Sequence, residues 1–218
     1  MELKFKNSSM TCFQIVQLDQ ESKKYIMDTS TMSPKSYYWG FKTDTITVGM
    51  VEIEKNNNQF EIKPTTPVST TMAAIIVQPI VKIGYDVIKR LFIQNNLSEQ
   101  VLLKLLLFAI SMLISYFAIL ISLKVAHKKA DKWIPKNSRK YTVTFTTIKK
   151  SNGGVYPLVG AIFICLLFFL GLNNGTEGAF LVINGIVCLF FFMFTLGSYP
   201  IALPYKQGQI VLEKIEEQ

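Results

Sequence analysis

Residues 101–126 read VLLKLLLFAISMLISYFAILISLKVA, an apolar run whose Lys104 lies near its start and can snorkel to an interface. A helix needs about 20 apolar residues to cross roughly 30 Å of hydrocarbon, so this run fits lipid as its solvent and not water. Residues 68–93, 155–173 and 178–204 are three further apolar stretches, while 1–66 are mostly polar. Half of the 218 residues are hydrophobic, more than is usual for a soluble domain of this size. The expected fold is a multipass α-helical membrane protein with about four transmembrane helices and a small, mainly β cytoplasmic unit at the N-terminus. Its domains are 1–66, the β-rich unit; 67–204, the helical domain with spans at 68–93, 101–126, 155–173 and 178–204; and 205–218, a cytoplasmic tail.

The formal net charge of +8 is placed beside the apolar stretches and not in a free basic domain, which argues against nucleic acid as a partner. Residues 127–154 carry Lys128, Lys129, Lys132, Lys136, Arg139, Lys140, Lys149 and Lys150 against Asp131. Short loops of this kind stay in the cytoplasm and attract anionic lipid headgroups. Residues 1–28 lack the uninterrupted apolar core of a signal peptide, so the N-terminus is expected in the cytoplasm too. An even number of crossings must then separate it from the basic loop. Stretch 68–93 is the weakest of the four, carrying Gln78, Pro79, Lys82 and Asp86, yet it must cross for both termini to be cytoplasmic.

Within the polar N-terminal part, FQIVQLD and YIMD flank QESKK and alternate apolar with polar residues, which predicts a hairpin over 13–28. Residues 45–53 (TITVGMVEI) and 59–63 (QFEIK) predict a second one. Residues 141–148 (YTVTFTTI) are rich in β-branched types and predict a strand that joins this sheet. Tyr37, Tyr38 and Trp39 read as core or as an interfacial belt.

Catalysis finds little support. A hydrolase or metal enzyme needs a nucleophile with a base, or a cluster of ligands at recognisable spacing, and the single histidine, His127, stands among lysines. Cys12, Cys165 and Cys188 form no disulfide framework by spacing, so no catalytic, cofactor or metal site is expected. What remains is binding. Small residues Gly160, Ala161, Gly171, Gly185 and Gly197 suit close helix packing, and Asn184 suits a hydrogen bond between helices. Lys82 and Asp86 stand at the i,i+4 spacing of an ion pair, and Gln78 adjoins the Pro79 kink. Gln78, Lys82, Asp86 and Asn184, with Asn173, Asn174 and Glu177 of the outer loop 173–178, are the expected partner-binding residues.

FQIVQLDQESKKYIMDTS at 13–30, YYWGF at 37–41, QPI at 78–80 and the basic stretch after the second apolar run together resemble the tandem five-transmembrane proteins of Gram-positive bacteria. That family includes immunity proteins against membrane-depolarising toxins of the type VII secretion system. The resemblance implies a non-enzymatic protein of the bacterial cell membrane whose partners are lipids and a membrane-inserted toxin. The alternatives are an accessory subunit of a membrane transporter or secretion complex, and a membrane enzyme acting on lipid.

Overall fold

The computed structural model describes residues 3–18, 23–62, 70–149, 154–197 and 201–218, with side chains of its first helix described from Val81 onward. Six strands, β1 (Leu3–Asn7), β2 (Phe13–Leu18), β3 (Lys24–Ser33), β4 (Thr45–Ile53), β5 (Lys140–Thr147) and β6 (Ile210–Glu217), form one antiparallel sheet in sequence order. The helices are α1 (Thr70–Gln94), α2 (Val101–Trp133), α3 (Tyr156–Gly171), α4 (Glu177–Leu196) and the short α5 (Ala202–Lys206). The chain divides into two compact units. A sheet unit takes Met1–Lys63, Ile119–Pro157 and Phe191–Gln218, and a helical unit takes Pro64–Ala118 and Leu158–Phe190.

In the sheet unit, β2 is buried almost without interruption because both its faces are covered. Phe13 and Ile15 join Ile26, Phe60, Ala126 and Ala130 on one face. Val16 and Leu18 face the other way, toward Tyr25, Met27, Ile46, Met50 and Phe145. This alternation follows from the period of two along a strand. The β2–β3 hairpin lies where it was expected, with Ile15 opposite Ile26 and Phe13 opposite Asp28. Strand β5 pairs with β4, placing Val143 opposite Val48. Tyr37 and Tyr38 are core residues of this unit, and Trp39 meets the rings of Tyr156 and Phe191 edge-on.

Where side chains are described, the helical unit is held by aromatic packing. Phe169 contacts Phe92 and Phe108 at centroid distances of 6.1 and 5.8 Å, and Phe168 stacks on Phe180 at 5.1 Å. At Gly178 a Cβ would stand 2.3 Å from the Ile88 Cγ2 atom, so only glycine permits this approach of α1 and α4. Gly160 and Gly171, expected to pack closely, face open space.

The expected multipass helical architecture of about four transmembrane helices, with a small β unit confined to the N-terminus, is overturned. The chain has a mixed α/β fold built on a six-stranded sheet. Among the described residues only α2 and α4 are long and apolar enough to cross a membrane. Helix α3 has 16 residues, and the described part of α1 carries Lys82, Asp86, Lys89 and Arg90. Hydropathy averages register apolar length but not the strands that the chain's far ends add. Segment β1 (LKFKN) is short, and β6 (IVLEKIEE) hides its alternation under charge, yet the two form the sheet's edges. The second expected hairpin also fails: of residues 59–63, Glu61 makes an isolated bridge to Ser8, and β4 pairs instead with β3 and β5.

Candidate functional site

Two polar constellations stand out, one in each unit. In the helical unit the Lys104 ammonium is fully buried. It donates to the Leu172 carbonyl at 2.7 Å and to Asn173 Oδ1 at 3.1 Å, and stands 5.5 Å above the Phe169 ring. A cation that binds the carbonyls ending α3 is favoured by the helix dipole as well as by hydrogen bonding. Glu177, the first residue of α4, is also fully buried, and its carboxylate oxygens have no hydrogen-bond partner among the described residues. It lies within electrostatic range of Lys104, whose charge offsets part of its burial cost. Deeper along the helices, Asn184 Nδ2 donates to Ser111 Oγ at 2.8 Å, and the Ser115 hydroxyl reaches the Gly185 carbonyl at 2.9 Å.

The expected partner-binding residues are therefore dispersed. Asn173 and Glu177 belong to the Lys104 environment, and Asn184 links α4 to α2. Asn174 folds its own loop by accepting from the Thr176 backbone N–H at 3.1 Å. Lys82 and Asp86 are exposed, with no ion pair between them among the described residues. The Gln78 side chain lies outside what is described. Beside these residues, Val81, Gly84, Tyr85 and Ile88 of α1 and Gly178, Val182 and Ile186 of α4 line an apolar groove of about 440 Å³.

In the sheet unit, the β2–β3 register sets Asp28 opposite Phe13 and so brings Cys12, just before β2, beside Asp28. The Thr29 backbone N–H donates to the Cys12 carbonyl at 2.9 Å, and the Thr29 hydroxyl oxygen lies 3.0 Å from the same carbonyl. Between Asp28 and Ser33 the pairing with β4 shifts register, an irregularity that re-aims side chains. Ser30 turns back there, its hydroxyl and backbone N–H donating to Asp28 Oδ1 at 2.6 and 2.9 Å. The other carboxylate oxygen, Oδ2, lies 2.8 Å from His127 Nε2. His127 Nδ1 stands 2.8 Å from the Leu123 carbonyl, which can only accept, so Nδ1 carries a proton. The ligand atoms of Cys12, Asp28 and His127 all lie within 4.8 Å of one another. Burial pushes the Cys12 thiol up to about 12, with the Asp28 charge adding to the rise, so the free thiol is neutral and unreactive.

The trio has no signature in the sequence, because its members lie at positions 12, 28 and 127 and share no recognisable spacing. The available signals were a lone histidine and an aspartate inside the otherwise apolar YIMDT segment. Comparison with protein-family models, with curated proteins and with solved structures finds no match to this chain.

Proposed function

We propose that this protein is a membrane-inserted binding protein whose helical unit lies in lipid and whose partner is an apolar, membrane-inserted segment of a depolarising bacterial toxin. The observation that carries insertion is the outward surface of α2, α3 and α4 in that unit, which is apolar, while several polar side chains lie within. Leu102 is 84% exposed, and Leu106, Leu113, Ile114 and Phe117 of α2 are exposed with it. So are Phe163, Ile164 and Leu167 of α3 and Val182, Ile186 and Phe190 of α4. The polar Lys104, Ser115, Glu177 and Asn184 are buried.

Water-soluble monomers rarely expose continuous apolar patches beyond a few hundred Å², so an outward surface of this extent calls for another solvent. The apolar windows of α2 and α4 are each only 11% buried, unlike the core helices of soluble proteins, and both lie far from the N-terminus. At 1.5 Å per residue, the 20 residues of α4 extend about 30 Å, the thickness of the hydrocarbon layer. Lys128, Lys129, Lys132, Lys136 and Arg139 favour a cytoplasmic sheet unit.

Toxin neutralisation rests on the likeness of residues 13–30 and 37–41 to the immunity-containing five-transmembrane family. The apolar groove between α1 and α4, with Gly84 and Gly178 in its wall, offers the close approach that a foreign helix needs. The test uses sensitive bacterial cells, a voltage-sensitive dye and a depolarising toxin encoded beside this gene. With the protein present, membrane potential is expected to survive that toxin and to collapse under an unrelated pore former. Depolarisation unchanged by the protein for every neighbouring toxin would overturn immunity in favour of an accessory role in a transport or secretion complex.

A further inference from the structure

We propose that Cys12, Asp28 and His127 form a binding site for a divalent cation of the zinc class. The assignment rests on the sheet unit alone and is independent of the membrane and toxin readings. The three residues supply sulfur, carboxylate oxygen and imidazole nitrogen, the donor types such a borderline cation prefers. Bonds of about 2.0–2.3 Å in a tetrahedral shell place ligand atoms roughly 3.3–3.8 Å apart. Here the separations run from 2.8 Å, for Nε2 to Oδ2, to no more than 4.8 Å, so local side-chain adjustment reaches that shell.

The supporting bonds are those that orient metal ligands. His127 Nδ1 donates to the Leu123 carbonyl, which fixes the ring and directs Nε2 at the other two donors. Asp28 Oδ1 is held by the Ser30 backbone and hydroxyl, leaving Oδ2 for the cation. Oδ2 stands 2.8 Å from His127 Nε2, which also lies 3.0 Å from the Ser30 hydroxyl, so the oxygen and the nitrogen already converge on one point. A bound cation would replace that contact as the shared partner of the two atoms. Cys12 then enters as thiolate, and its proton passes to solvent.

Access and a vacant position are also present. The Asp28 side chain is 18% exposed and that of His127 38%, while Cys12 is fully buried beneath them. A cavity of about 290 Å³ opens on Asp28 and His127 between Phe13, Ala130 and Asp131, with room for water as the fourth ligand. The bound ion would tie the start of β2, the irregular part of β3 and the end of α2 to one point.

The test is cobalt substitution in the purified full-length protein in detergent, stripped with chelator and reloaded with Co²⁺ or Zn²⁺. One equivalent of Zn²⁺ is expected to survive dialysis, and the Co²⁺ form is expected to show sulfur-to-cobalt charge transfer. The Cys165→Ser/Cys188→Ser variant, which keeps Cys12 as its one thiol, should retain that absorption. Cys12→Ser should abolish it, and His127→Gln should weaken Zn²⁺ binding at least about tenfold. Because Cys12 and His127 are packed into the fold, the unaltered protein decides by itself even if their variants fail to fold. No retained zinc, or a cobalt form without charge transfer, would overturn the site. So would a band that survives Cys12→Ser and disappears from the Cys165→Ser/Cys188→Ser variant.

Discussion

At Gly197 the backbone adopts φ 141°, and a Cβ there would stand 2.4 Å from the Ser30 Cα, so conformation and space both exclude a side chain. The Gly197 carbonyl also accepts from the Thr29 hydroxyl. Gly197→Ala is therefore expected to destabilise the sheet unit by roughly 1–3 kcal/mol or more, read as a lower thermal midpoint in detergent. Lys24 illustrates a different constraint. Its ammonium is buried on β3 and donates to the Asn57 carbonyl at 2.7 Å and the Glu61 carboxylate at 2.8 Å. The Lys24 hydrogen bond and charge hold the Glu61 carboxyl below its ordinary value of 4.5. A carboxyl depressed by folding contributes stability above its unfolded pKa and loses it as pH falls through the folded one. Denaturation followed from neutral pH to below 4.5 should show this loss, and Glu61→Gln should flatten that part of the profile. An unchanged acid slope in the variant would contradict the pairing.

Between elements, α2 and α4 are joined by the Asn184 to Ser111 hydrogen bond, and the Lys104 environment joins the start of α2 to the end of α3. Asn184→Ala is expected to cost roughly 0.6–2 kcal/mol, with Ser111→Ala adding little on top, because both remove one interaction. Lys104→Met should cost more, roughly 1–3 kcal/mol for each acceptor left unsatisfied, since the Leu172 carbonyl and Asn173 Oδ1 lose their donor and Glu177 loses a nearby positive charge. Adding Glu177→Gln should recover part of that loss in the same unfolding measurement.

These elements were unequally readable in the chain. The β2–β3 hairpin was legible because FQIVQL and KYIMD alternate around a polar turn, and β5 because TVTFTT is β-branched. The edge strands were not: β1 is five residues with two lysines, and β6 carries a charged pattern and pairs with β5 from some sixty residues further along the chain. Asn184 was readable as an interhelical donor, being one amide in an apolar run. Glu177 read as part of an exposed loop, but the helix begins at that residue and buries it. The Cys12, Asp28 and His127 trio was invisible because register and helix length create it, and neither can be read from spacing.

The whole molecule joins two kinds of construction. Its sheet unit buries Ile15, Met27, Val143 and Phe145 as a water-soluble core does. Its helical unit turns leucine, isoleucine and phenylalanine of α2, α3 and α4 outward, and buries Lys104, Ser115, Glu177 and Asn184 beside a core of Phe92, Phe108 and Phe169. That outer surface is the physical support for the proposed membrane insertion, since water solvates so much exposed apolar area poorly. The most direct test is alkaline carbonate extraction of membranes from cells that produce the full chain. The protein is expected to stay in the membrane pellet through extraction and to leave it only with detergent. Quantitative release into the carbonate supernatant would contradict the insertion of α2 and α4 and the function built on it.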